Sequence, residues 1–170
     1  LECGPAIAYC SRRTMSMSAG KNNTLLPINE ILPELKATLP QFRRVVIKAP
    51  TGAGKSTQVP QMLLDHGIGG NGCIVVLQPR RIAARMLARR VAAERHSSIG
   101  EEVGYHVRFD KCCGRDTRIR FETDGVLLRQ MTSDPALTGV GTIVFDEFHE
   151  RHLYGDLMLG LAARLQKTVR

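Results

Sequence analysis

Tryptophan is absent from this chain, and aromatic residues of all kinds make up only 5% of it. Stacking of bases on aromatic platforms is therefore excluded as the main way it would hold a nucleic acid. No apolar run approaches the roughly 20 residues that a membrane-crossing helix requires, so no membrane partner is expected. Cysteine is sparse and unpatterned. Cys3, Cys10, Cys73, Cys112 and Cys113 form no C-x-x-C pair, and no histidine follows at zinc-finger spacing. They read as reduced thiols of a cytoplasmic protein, not as a disulfide frame or a metal site. Acidic residues are also in deficit, with 16 Asp and Glu against 24 Lys and Arg and a formal net charge of +8. Such an excess suits a polyanionic partner such as nucleic acid, although a solvated basic surface gives the same count.

What remains is ordinary for a globular protein. The chain has 170 residues, 43% hydrophobic and 24% charged, enough for one cored domain and too few for two. It starts at Leu1 instead of Met, which reads as a fragment or as a gene extended upstream of Met15 or Met17; a transit peptide is the weaker alternative. Residues 1–24 carry little periodicity and are expected to be a disordered or non-native extension, with the domain proper at 25–170.

Along the domain, residues 25–40 read as an amphipathic helix framed by Pro27 and Pro40, with Asn29 a candidate N-cap. Val45–Ile47, Cys73–Leu77 and Thr142–Phe145 are short apolar runs, as buried parallel strands are. Helices are expected from the Gly-rich turn to about His66, over 81–95 with Ala83, Leu87 and Val91 on one face, and over 124–132. A last helix over 152–167 should carry Leu153, Leu157 and Leu161 in register. Tyr105, Val107 and Phe109 alternate with polar residues, and so do Ile119 and Phe121, which reads as two further strands. Cys112-Cys113 falls in a turn with Gly114. The alternation predicts an α/β domain with a mostly parallel sheet flanked by helices and a ligand site at the carboxyl ends of its strands.

Two motifs fall at such ends. In Ala49-Pro50-Thr51-Gly52-Ala53-Gly54-Lys55-Ser56-Thr57, Gly52 and Gly54 allow consecutive backbone N–H groups to turn onto a phosphate, and a helix N-terminus follows. Residues Thr51 to Thr57 are the candidate nucleotide-binding set. Lys55 reaches the β- and γ-phosphates, and Ser56 is placed to ligate Mg²⁺. Pro60 removes one helical N–H donor and predicts a kink or a loosened turn. The second motif is Asp146-Glu147-Phe148-His149-Glu150-Arg151. Asp146 is the candidate Mg²⁺ partner and Glu147 the group that orients and deprotonates water. Read alone, either motif also fits a blander role, a Gly-rich turn or a helix cap.

The blocks APTGAGKSTQVPQ, QPRRIAARMLARRVA, VGYHVRFD, FETDGVLLRQ and DEFHER, in this order, resemble DEAH-type ATP-dependent helicases, most closely the bacterial branch whose motif reads DEFH. The resemblance covers residues 25–170 and includes Pro60. It implies a RecA-like P-loop NTPase fold, ATP and Mg²⁺ as cofactors, and nucleic acid, RNA ahead of DNA, as partner. It further implies backbone contacts at Arg80, Arg81 and Thr123, and a role for His149 in linking hydrolysis to strand separation through a Ser-Ala-Thr block. That block and the second RecA-like lobe are absent from the chain. Arg85, Arg89, Arg90 and Arg95 are either a phosphate-binding stripe or a solvated helix face. His106 and His152 read as surface packing or hydrogen-bonding groups. Two other functions stay open: a P-loop ATPase doing work without nucleic acid, and a binding module without turnover.

Overall fold

Short runs rich in Val, Ile and Phe build the centre of the molecule. The computed structural model describes residues 26–68, 70–150 and 152–168, with residues 6–11 described by their backbone. Strands β1 (Ala6–Ser11), β2 (Arg44–Lys48), β3 (Cys73–Gln78), β4 (Val103–Val107), β5 (Asp110–Cys112), β6 (Ile119–Thr123) and β7 (Val140–Phe145) form one sheet in the order β2-β1-β7-β3-β6-β4-β5. All neighbours pair in parallel except the β4–β5 hairpin. Helices α1 (Leu32–Phe42), α2 (Lys55–Asp65), α3 (Arg81–Glu94), α4 (Asp124–Ser133) and α5 (Leu153–Thr168) connect and cover the strands.

Because side chains alternate across a strand, each inner strand feeds two cores. Ile74, Val76, Ile119, Phe121, Val103 and Tyr105 join residues of α1, α2 and α3 on one face. On the other, Val75, Leu77, Ile143 and Phe145 join Leu127 of α4 and Met158, Ala162 and Leu165 of α5. The expected α/β class and the mostly parallel sheet are both present, and the apolar runs lie in the middle, where both faces are covered.

Several local expectations fail, each for a tertiary reason. Within residues 1–24, Ala6–Ser11 is not an extension without structure: it is β1, bonded between β2 and β7. The first helix opens with a 3-10 turn at Pro27–Ile31, so Asn29 lies inside the turn and Ile31 takes the cap position; Pro40 sits within α1 instead of ending it. Pro60 is buried inside an unbroken α2. The core stripe of α3 is Ala84, Ala88 and Val91, one position away from Ala83 and Leu87. In α5 the buried stripe is Gly155, Met158, Ala162 and Leu165, whereas Leu153 is 79% exposed. Leucine marks hydrophobicity, but the residues that meet Val75, Leu77, Ile143 and Phe145 are Met158, Ala162 and Leu165. Phe109 does not continue β4. It occupies the two-residue turn to β5 at φ +68° and is 89% exposed, and Cys112 closes β5.

Candidate nucleotide site and the acid segment beside it

Parallel strands bring their carboxyl ends to one edge, and here that edge carries both motifs. β2 runs into the phosphate loop and β7 into the acid segment, with only β1 between them. Two strand spacings put the two loops about 10 Å apart, a separation suited to a bound phosphate chain and cation. β3 and β6 then follow in order, ending at Gln78 and Thr123.

The phosphate loop has the shape its glycines predict. Gly52 and Gly54 sit at φ +80° and +92°, the left-handed region that side chains resist. A Cβ on Gly54 would also meet Leu26 Cδ1 at 2.7 Å. Gly54 caps α2, and the N–H groups of Thr57 and Gln58 both point back to its carbonyl. Lys55 is folded onto its own loop, with Nζ donating to the carbonyls of Ala49 and Pro50 at 2.9 Å each. A cavity of about 260 Å³ opens over this loop. Its lining includes Thr51, Gly52, Gly54, Lys55, Ser56 and Thr57 from the candidate set and Glu147 and His149 from the acid segment. Leu26, Leu87 and Arg90 complete the lining, Leu26 lying directly against Gly54. Ala53 is buried beneath the loop, and its carbonyl accepts the Ile28 N–H.

Asp146 is buried at the end of β7, where an unpartnered carboxylate would be costly. Gln78 Nε2 donates to its Oδ2 at 2.6 Å, and the Glu147 N–H donates to its Oδ1 at 3.0 Å. Glu147 itself turns the chain at φ +51°, a strained value for a non-glycine residue and one of the marks of a functional turn. His149 Nε2 lies 3.3 Å from Glu147 Oε2, within ion-pair distance when the ring is protonated. Ser56 on the cavity wall offers a hydroxyl and Asp146, outside that lining, a carboxylate, both hard oxygen donors of the kind magnesium takes.

The three residues expected at a nucleic-acid backbone lie on the same edge but not in the cavity. Arg80 and Arg81 are exposed where α3 starts; Arg80 Nη2 reaches Glu150 Oε1 at 3.4 Å. Thr123 is half-buried in the cap position of α4, and its hydroxyl makes no capping bond. Of the longer arginine stripe, Arg89 is exposed, and the other three carry acidic partners. Arg85 pairs with Asp110, Arg90 with Glu94, and Arg95 with Asp65 and Glu102. Arg90 is instead a cavity residue. Burial raises the Glu94 carboxyl, but bonds from Arg90, Gln61 and Gln58 outweigh burial and hold it below the ordinary range. The guanidinium is thus anchored beside the cavity.

Sequence reasoning missed Gln78, Leu26, Leu87 and the nucleotide-side placement of Arg90. Gln78 stands in the QPRR block, and a buried polar side chain at a strand end is the signal that could have found it. The other three are joined only by the fold.

A parallel sheet with a glycine phosphate loop and a buried acid at strand ends on one edge defines a class, the phosphate-loop nucleotide-binding α/β domains. The chain belongs to the DEAD/DEAH box helicase family, whose profile matches residues 29–168. It is 47% identical over 145 residues to the ATP-dependent RNA helicase HrpB of Escherichia coli (strain K12), covering 85% of this chain and 18% of that protein. To the probable ATP-dependent RNA helicase DHX35 of Homo sapiens it is 44% identical over 166 residues, covering 96% of this chain and 23% of that one. The crystal structure of E. coli DExH-box NTPase HrpB superposes with a TM-score of 0.83 at 44% identity, over 89% of this chain and 19% of the other. The chain therefore spans about a fifth of the length of these relatives. Among the described residues no helix is long and apolar enough to cross a membrane.

Proposed function

We propose that this chain is the ATP-binding lobe of an ATP-dependent RNA helicase. The observation that carries the reading is the cavity that phosphate loop and acid segment share, with Lys55, Ser56 and Glu147 on its wall. The triphosphate lies along Thr51–Thr57, with Lys55 exchanging the Ala49 and Pro50 carbonyls for phosphate oxygens. The base lies toward Leu87 and Arg90, where an apolar side chain and a guanidinium plane suit a flat ring. Ser56 and Asp146 hold magnesium, which when bound neutralises developing charge on the phosphates. Glu147 accepts a proton from the attacking water, and His149 holds its carboxylate in place. Arg80, Arg81 and Thr123 contact the sugar–phosphate backbone, which fixes position without reading sequence.

Hydrolysis needs cations on both sides of the transferring phosphoryl group, and arginine fingers contribute ~10³–10⁵ in rate. Lys55 and Arg90 are the lysine and arginine of the cavity lining, and Arg90 is assigned here to the base. Turnover and unwinding are therefore assigned to this lobe acting with a second one. The purified 170-residue chain should bind Mg-ATP and single-stranded RNA, hydrolyse little and separate no strands. Brisk, RNA-stimulated hydrolysis by the monomeric chain would overturn the two-lobe account. A P-loop ATPase working without nucleic acid is disfavoured by the family match and by the exposed basic edge at Arg80 and Arg81.

A further inference from the structure

His152 follows the acid segment and starts α5, and its side chain faces two partners. Nδ1 accepts the Gly155 N–H at 3.1 Å, an N-cap for the helix. The same nitrogen lies 3.4 Å from Asp124 Oδ2. The ring is seated against Gly155: a Cβ there would meet His152 Cε1 at 3.0 Å. One nitrogen cannot accept from the amide and donate to the carboxylate at the same time, so the Asp124 contact becomes a bond only where Nδ1 releases the Gly155 N–H. The Asp124 side chain is 11% exposed, so this contact is shielded from solvent in a way that the Arg80–Glu150 pair, 75% and 36% exposed, is not. Burial pushes the Asp124 carboxyl up and the His152 ring acts against that.

The two ends of this contact belong to different sites. Asp124 directly follows Thr123 and opens α4. His152 lies two residues beyond the 3-10 turn Phe148–Glu150 that Glu147 leads into. We infer that Asp124 and His152 are positioning residues through which nucleic acid at the Thr123 edge and nucleotide at the acid segment change one another's affinity. Backbone contact at Thr123 shifts the carboxylate next to it and biases His152 toward or away from the α5 cap. Rearrangement of the acid segment around a bound phosphate chain biases the same choice from the other end. Coupling of this kind requires an element with two arrangements that both sites bias, and it is reciprocal. This inference rests on the function proposed above.

The test is a binding square on the 170-residue chain: affinity for labelled single-stranded oligouridine by fluorescence anisotropy, with and without Mg-AMPPNP. The native chain should show a factor of ~5 or more between the two conditions. In His152→Ser, where serine still caps α5, the factor should fall to about one while affinity for each ligand alone stays within ~2-fold. Asp124→Asn, which keeps the shape and removes the charge, should reduce the factor as well and serves if the serine variant fails to fold. A native factor of one, or an unchanged factor in both variants, overturns the inference while the functional reading stands. Failure of the native chain to bind either ligand overturns the functional reading and this inference with it.

Discussion

Lys55 in the phosphate loop bonds back to Ala49 and Pro50 of that same loop. The acid segment is held differently: Asp146 is bonded by Gln78 of β3, Glu150 pairs with Arg80 before α3, and His152 lies against Asp124 of α4. One wall of the cavity has its lysine held by bonds within a few residues, with one further backbone bond from Ile28 to Ala53. The other is tied across three neighbouring strand ends, and its ties run to the segments assigned to the nucleic-acid edge. A loop held mostly by its own glycines and lysine depends little on other segments, so it suits a constant task such as gripping phosphate. A segment tied at three remote points moves when any of those points moves, which suits a group whose activity must depend on a second ligand.

The largest effects should come from the tied wall itself. Asp146→Asn should lower Mg-ATP affinity about tenfold, the scale of one charge-assisted bond, and remove most of its magnesium dependence. Glu147→Gln should leave affinity nearly unchanged, because its carboxylate acts on water. Equal losses in both variants, measured by calorimetric titration, would merge the two roles. Next comes the tie beneath Asp146. Gln78→Leu leaves a buried carboxylate oxygen without its donor and should cost about 1–3 kcal/mol in denaturant unfolding. It should also weaken magnesium-dependent binding, which a purely structural glutamine would not do.

How much of this contrast was legible follows from the same distinction. The phosphate loop could be read residue by residue, because glycine at φ +80° and +92° is a local demand that only sequence spacing need satisfy. Asp146 and Glu147 could be read as a pair of acids at a strand end. Their ties could not, since Gln78, Asp124 and His152 are far apart in the chain and meet only when β3, β6 and β7 are set side by side. The same limit explains α5, where Leu153 and Leu157 follow helical spacing yet face outward. It also explains β1, whose place between β2 and β7 has no signal in AIAYCS beyond a short apolar run.

Smaller effects probe the edge and the periphery. Arg80→Ala with Arg81→Ala should weaken RNA binding to all sequences alike and flatten the log–log salt dependence by about one unit for each phosphate no longer neutralised. An unchanged slope would move the nucleic-acid surface elsewhere. The smallest effect should be a pH dependence away from the site. The bond from Arg95 holds the Glu102 carboxyl below its ordinary range. A lowered folded pKa adds stability that is complete above the unfolded glutamate pKa of about 4.3 and is lost as pH falls through the folded one. The melting temperature of Glu102→Gln should therefore differ from native above that range and converge with it in acid. A constant gap down to strongly acidic pH would assign Glu102 no such role.

The central claim is that the Thr51–Thr57 loop seats the nucleotide through Lys55. The direct measurement is a calorimetric titration of Mg-ATP into the native 170-residue chain and into Lys55→Ala. Native chain should bind, and the variant should lose about tenfold to a hundredfold in affinity, the scale of losing one or two bonds to a charged group at about 1.5–3 kcal/mol each. Because the Lys55 ammonium bonds within its own loop, the variant should keep the native RNA affinity. Binding of Mg-ATP by Lys55→Ala at native affinity would contradict the account.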